Sequence, residues 1–203
     1  MKNTFIVGIG GTLRSDSSSE RALRFCLDKA AGAGARTAMF SGEDLRAPLF
    51  EPGQAIADGS MRRLVDALRQ ADGVIIASPG YHGSISGSLK NVLDYTEEMA
   101  RDERPYFEGR AVGCIVSAGG WQAAAATLAA LRAIVHALRG WPTPLGVLLN
   151  SAEPVFEADG RCRSAETAGA LGIMTQQVLD FASTRRAVFP DARVVAKRVA
   201  TAG

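Results

Sequence analysis

Apolar runs of strand length alternate with stripes of helical spacing along the chain. Residues 4–9 (TFIVGI) form a β-rich apolar run that ends at Gly10-Gly11, and residues 17–31 carry an apolar period of helical type. Ser17 with Glu20 three positions on has the spacing of a capping box, in which hydroxyl and carboxylate each satisfy an orphan backbone N–H. Residues 36–40 predict a second strand, and residues 61–70 a second helix beyond a loop holding Pro48 and Pro52. Residues 73–77 (GVIIA) read as a strand covered on both faces. After the turn-rich residues 78–84, Ile85, Leu89, Val92, Leu93 and Thr96 share one helical face. Residues 111–116 (AVGCIV) return to strand character, and residues 121–138 predict an Ala-rich helix with Leu128, Leu131, Val135 and Leu138 on one stripe. Residues 145–149 then predict a fifth strand and residues 165–185 a last helix. Five strands alternating with five helices specify a parallel sheet with helices on both faces.

A chain of 203 residues can bury one full core and is short for two. No repeat or linker interrupts the alternation, so residues 1–185 are expected to form a single domain and residues 186–203 a basic tail. The insert at residues 101–109 reads as a solvated loop or, more sharply, as a lid or subunit contact. With 47% hydrophobic and 22% charged residues the composition is that of a globular chain, and no run approaches the ~18–20 apolar residues of a spanning helix. The apolar start, Phe5 to Ile9, ends in glycines instead of extending into a signal-peptide core, so no export signal is read.

Composition also limits the chemistry. Three unpaired cysteines (Cys26, Cys114, Cys162) and two histidines offer neither a disulfide framework nor a metal site, and a cytoplasmic compartment is expected. Residues 185–203 hold five of the 23 basic residues and one of the 21 acidic ones, which leaves a near-neutral body without a nucleic-acid stripe. No nucleophile set is present either, since Ser117 lies outside GxSxG, Cys114 sits in an apolar strand and His136 is mid-helix.

In open parallel sheets ligands bind beyond the carboxyl ends of the strands. After strand one, residues 10–19 place five hydroxyls and Arg14 just before a helix N-terminus, a set suited to a phosphate. An ordinary N-cap loop needs one hydroxyl. Neither GxGxxG nor GxxxxGK[ST] occurs here, so a terminal monophosphate fits better than a pyrophosphate or triphosphate. After strand three, Ser78-Pro79-Gly80-Tyr81-His82-Gly83-Ser84 combines backbone amides, a ring and an imidazole on a tight turn, which suits a flat heterocycle; turn furniture accounts for Tyr81 or His82 taken alone. After strand four, Ser117-Ala118-Gly119-Gly120-Trp121 adds a second close-approach stretch.

GTLRSDSSS at residues 11–19 and SPGYHGSISGSLKNVLDY at residues 78–95 resemble the NADPH-dependent FMN reductase family, whose members show GSxRxxSxN and PxYNxSxxGxLKNxxDW in these places. The resemblance spans residues 2–151 and implies a flavodoxin-like, doubly wound five-stranded parallel sheet of order 2-1-3-4-5. By position it implies that Thr12, Arg14, Ser17 and Ser19 bind the FMN phosphate. Pro79, Gly80, Tyr81, His82, Gly83 and Ser84, with Ser117, Gly119, Gly120 and Trp121, would bracket the isoalloxazine. Ser19 stands for the usual Asn, Gly80 for a frequent Glu and His82 for the usual Asn, departures that bear on the flavin contacts. Lys90 and Asp94, at i and i+4, match the helix motif and read as support for that helix or a subunit contact.

The resemblance further implies an FMN-dependent NAD(P)H oxidoreductase that passes electrons to a quinone, an azo or nitro compound, or free flavin for a partner monooxygenase, and that works as a homodimer or homotetramer. The cofactor carries the chemistry, so no catalytic side chain is expected. A Tyr found within helix four of some two-component members is absent from residues 121–138, which tilts away from the FMN-donor branch. The alternatives are a flavodoxin-type electron carrier without NAD(P)H turnover, against which the near-neutral body and Arg14 count, and a domain that keeps the fold without turnover.

Overall fold

The computed structural model describes residues 4–188. Its frame is a parallel sheet built from β1 (Phe5–Ile9), β2 (Arg36–Phe40), β3 (Gly73–Tyr81) and β5 (Ala111–Ala118), in the order β2-β1-β3-β5. The far edge of β5 is shared by β6 (Trp141–Pro142) and β7 (Val147–Asn150), and a short β4 (Ser84–Ile85) pairs antiparallel with the end of β3. Counting β6 and β7 as one interrupted edge, the parallel order is the expected 2-1-3-4-5. Of the two strands beyond the expected five, β4 is the return of the β3 hairpin, and the separation of β6 from β7 has a chemical cause. Pro142 and Pro144 cannot donate to a ladder, so the edge strand breaks between them, and Thr143 Oγ1 turns to the Leu145 carbonyl at 2.8 Å.

Both faces of the sheet are covered, and the strands alternate accordingly. Val7, Ile9, Val74, Ile76, Val112 and Val116 point into one core, beneath α2 (Gly59–Gln70), α3 (Gly87–Asp94) and α4 (Trp121–Ala137). Ile6, Ile75, Ala77 and Ile115 point into the other, under α1 (Ser18–Gly32) and α5 (Ala165–Val188). Leu131 and Val135 of the α4 stripe are fully buried, while Leu128 and Leu138 flank them half-buried. Ile85 shares the buried face expected of it but belongs to β4, since α3 starts only at Gly87.

The insert before β5 is neither a solvated loop nor a lid. Phe107 is fully buried in the first core, worth ~1.5–3 kcal/mol by transfer, and the segment lies at the amino ends of the strands, away from the ligand rim. Arg110 behind it is fully buried. Its guanidinium donates to the backbone carbonyls of Ala71, Tyr106, Glu108 and Arg69 at 2.7–3.5 Å. Burial, then neighbouring Arg104, pushes this group down to about 9. The last helix runs through Arg185 and Arg186 to Val188; the rest of the expected basic tail lies outside the described residues.

Candidate cofactor site at the carboxyl rim

Three adjacent strands end at one rim. β1 pairs with β3 up to Ile9↔Ile76, and β3 pairs with β5 up to Pro79↔Ser117, so the loops that follow them lie side by side. Close approach depends on Gly11: a Cβ there would lie 2.7 Å from both the Ala77 carbonyl and the Ser78 Cα. Buried Ser86 joins the loops. Its hydroxyl donates to the Gly11 carbonyl at 2.5 Å and accepts from the Leu89 N–H as the cap of α3, while its own N–H donates to Ser78 Oγ. The sequence reading missed Ser86 because it began that helix at Ile85; a serine just before Gly87-Ser88-Leu89 is itself a cap signal.

The β1–α1 loop is an open anion cradle. Ser17 caps α1, its Oγ accepting from the Glu20 N–H at 3.2 Å. The Glu20 carboxylate turns to Arg24 at 3.1 Å instead of returning to Ser17, so the expected capping box is half formed. The N–H groups of Ser18 and Ser19, in the first turn of α1, have no acceptor among the described residues. Arg14 is exposed and makes no ion pair among the described residues. Asp16, whose charge would repel an anion, pairs with Arg21 at 3.6 Å. Thr12 is buried and folds the loop back, its Oγ1 accepting from the Arg14 N–H at 3.0 Å. Ser19 is 1% exposed and its hydroxyl meets that of Ser17 at 3.1 Å. Free N–H groups at a helix N-terminus with an unpaired guanidinium beside them are the donor set a phosphate dianion requires, so these residues fit the FMN phosphate.

Beyond β3 the backbone is more ordered than the turn-rich sequence implied. β3 continues to Tyr81 and returns through β4, with Gly80↔Ile85 and Tyr81↔Ser84 paired. The turn is His82-Gly83, with φ of 50° and 82°. Both values are positive, as in the type I′ hairpin. His, like Asn, is enriched in the left-handed region, so His82 suits the first position of this turn. Gly80 also has a physical reason, because a Cβ there would lie 2.8 Å from Thr127 Oγ1 and 3.1 Å from the Ala118 Cβ. Fully buried Thr127 of α4 takes the space a larger residue would need, and its hydroxyl donates to the Ser84 carbonyl at 3.4 Å. No pattern in the sequence marked Thr127.

Most of the expected ring-binding residues reach the rim. Tyr81 and Trp121 are 56% and 60% exposed, large apolar surfaces flanking the glycines Gly119 and Gly120. His82, Gly83 and Ser84 are exposed at the hairpin tip, and Pro79 and Gly80 are half-buried behind it. Ser117 is different: it sits within β5, paired with Pro79 and Leu149, and is 6% exposed. Lys90 and Asp94 form an exposed pair at 2.6 Å, and Asn91 and Tyr95 of the same motif bond the Pro48 carbonyl. This motif therefore holds a loop in place. The thiols of Cys26 and Cys114 are buried, and burial pushes both up to about 12, leaving no thiolate near neutrality. Among the described residues no cluster could hold a metal ion and no helix is long and apolar enough to cross a membrane.

The sequence profile of the family described as NADPH-dependent FMN reductase matches residues 4–153. The chain is 34% identical over 101 residues to the FMN-dependent NADPH-azoreductase of Staphylococcus aureus strain USA300, a match covering half of each chain. Among solved structures it resembles the flavoenzyme NAD(P)H:(acceptor) oxidoreductase of Paracoccus denitrificans, with TM-score 0.67 and 21% identity over 89% of this chain and 98% of that one. It also resembles a flavodoxin, WrbA-like protein of Agrobacterium tumefaciens, with TM-score 0.58 and 16% identity over 91% and 99% of the two chains. At these identities the structural likeness establishes a flavodoxin-like fold.

Proposed function

The chain belongs to the NADPH-dependent FMN reductase family, and from that premise we propose that it is an FMN-dependent NAD(P)H oxidoreductase. The observation that carries the reading is the pairing of the Arg14 cradle with an exposed aromatic rim one strand away. Thr12, Arg14, Ser17 and Ser19 hold the phosphate through the guanidinium, the loop hydroxyls and the first-turn N–H groups. Pro79, Gly80, Tyr81, His82, Gly83 and Ser84 form one side of the ring site, and Gly119, Gly120 and Trp121 the other, with Ser117 beneath them.

Bound there, FMN supplies hydride acceptance from NAD(P)H and electron delivery to a second substrate. The residues contribute position. Ser86 locks the phosphate loop to the β3–α3 turn, and the hairpin holds Tyr81 at the rim, so the site is set before ligands arrive. Buried thiols and an exposed His136 leave the protein's part as binding and orientation. The acceptor class is a quinone or an azo or nitro compound, with transfer of free flavin to a monooxygenase as the other branch. Similarity to an azoreductase over half its length favours the first. Residues 1–185 act as one FMN-binding domain, in a homodimer or homotetramer, and the unpaired cysteines favour the cytoplasm.

Absorbance of the protein mixed with FMN, followed by NADH or NADPH without oxygen, tests this. Loss of the flavin band is expected; flavin binding without bleaching identifies an electron carrier, and no flavin binding ends both readings.

A further inference from the structure

Arg21 and Phe25, one turn apart on α1, both meet the segment that joins β7 to α5. Phe25 packs on Phe156 with ring centroids 6.3 Å apart, and Phe156 is buried in the second core. A Phe156↔Cys162 bridge closes that segment, with the Glu157 N–H donating to the Arg161 carbonyl at 2.8 Å and the Arg163 N–H to the Val155 carbonyl at 2.9 Å. The Glu157 carbonyl is thereby a fixed point. Arg21 donates to it through Nη1 at 2.8 Å and pairs with Asp16 through Nη2 at 3.6 Å. One guanidinium thus spans from the turn before α1 to a segment 136 positions away.

Two features of this tie work against stability. Asp16 has a φ of 58°, in the left-handed region that a side chain disfavours. The Nε of Arg21 is buried and has no hydrogen-bond partner among the described residues, a loss for a charged donor. Both lie at the turn that delivers Ser17 to the cap of α1, where the phosphate cradle begins. A strained residue and an unmet donor at one ligand loop point to a conformation kept for binding.

We infer that Arg21 is a positioning residue for the FMN phosphate. It anchors the Asp16 turn to the Glu157 carbonyl and offsets the Asp16 charge, so the cradle is shaped for a dianion before one arrives. The inference rests on the FMN site proposed above and adds a residue beyond the motif at residues 11–19. The terminal nitrogens of Arg21 are spent on Glu157 and Asp16, so it acts through the loop and leaves the direct contact to Arg14.

Fluorescence titration with FMN and with riboflavin, which lacks the phosphate, tests this without turnover. Arg21→Gln should weaken FMN binding about five- to tenfold and riboflavin binding less than about twofold, and Arg21→Lys should recover part of the FMN affinity. An Asp16→Gly background removes the carboxylate and admits the positive φ, and there Arg21→Gln should cost less than about twofold. Equal losses for the two flavins would make Arg21 a general prop of the fold and overturn the proposal. An unchanged FMN affinity overturns it too, as does an undiminished loss in the Asp16→Gly background. No flavin binding by the parent protein ends this proposal together with the FMN site. FMN binding that depends on Arg21 while NADPH fails to bleach the flavin ends the reductase reading alone and supports the positioning role.

Discussion

Arg14 and Arg110 stand at opposite ends of the sheet and use the same guanidinium in opposite ways. At the amino ends Arg110 is fully buried and bonds four backbone carbonyls, closing Phe107 and its loop against the core. At the carboxyl ends Arg14 is exposed, without an ion-pair partner among the described residues, beside N–H groups that also lack acceptors. A buried guanidinium must have its donors met or the fold loses several kcal/mol. A donor set left unmet at the surface costs little, because water serves it until an anion replaces the water. A saturated arginine therefore reads as architecture and an unsaturated cluster as a binding site.

The largest effect should come from the amino rim. Arg110→Ala removes the guanidinium that meets the carbonyls of Ala71, Tyr106 and Arg69, and should cost about 3–5 kcal/mol of stability. Urea unfolding measures this, and the folded fraction should still bind FMN normally. The comparison breaks if stability is unchanged. Arg14→Ala should do the reverse, weakening FMN binding by about 1.5–3 kcal/mol with stability within about 0.5 kcal/mol of the parent. Fluorescence titration decides it, and an unaltered affinity would place the phosphate elsewhere. Smallest of all, Lys90→Ala removes an exposed i,i+4 pair and should shift stability by about 0.3–0.5 kcal/mol. A larger loss, growing with dilution, would show that Lys90 lies in a subunit contact.

The order of the parallel strands followed from the family resemblance, and the alternation of strands and helices was legible in the sequence as a local pattern repeated along the chain. Tyr81 and Trp121 were found the same way, as rings next to glycines after apolar runs. The halved capping box was not legible, because Ser17 and Glu20 have the right spacing while Arg24 competes for the carboxylate. From the sequence Ser117 reads as a rim residue because the apolar run stops at Val116, yet pairing with Pro79 and Leu149 carries the strand two residues further. The insert of charged residues hid Phe107, whose burial depends on where the end of α4 lies.

What the sequence determined alone is what short-range chemistry determines: apolar periodicity, caps, the breaks at prolines, and a hydroxyl-rich loop with one arginine before a helix. Tertiary structure decided which donors are spent and which are free. Arg110 meets Ala71 from 39 positions away, Ser86 meets Gly11 from 75 and Arg21 meets Glu157 from 136. Pairs so distant in the chain are joined only when neighbouring strands bring their ends together.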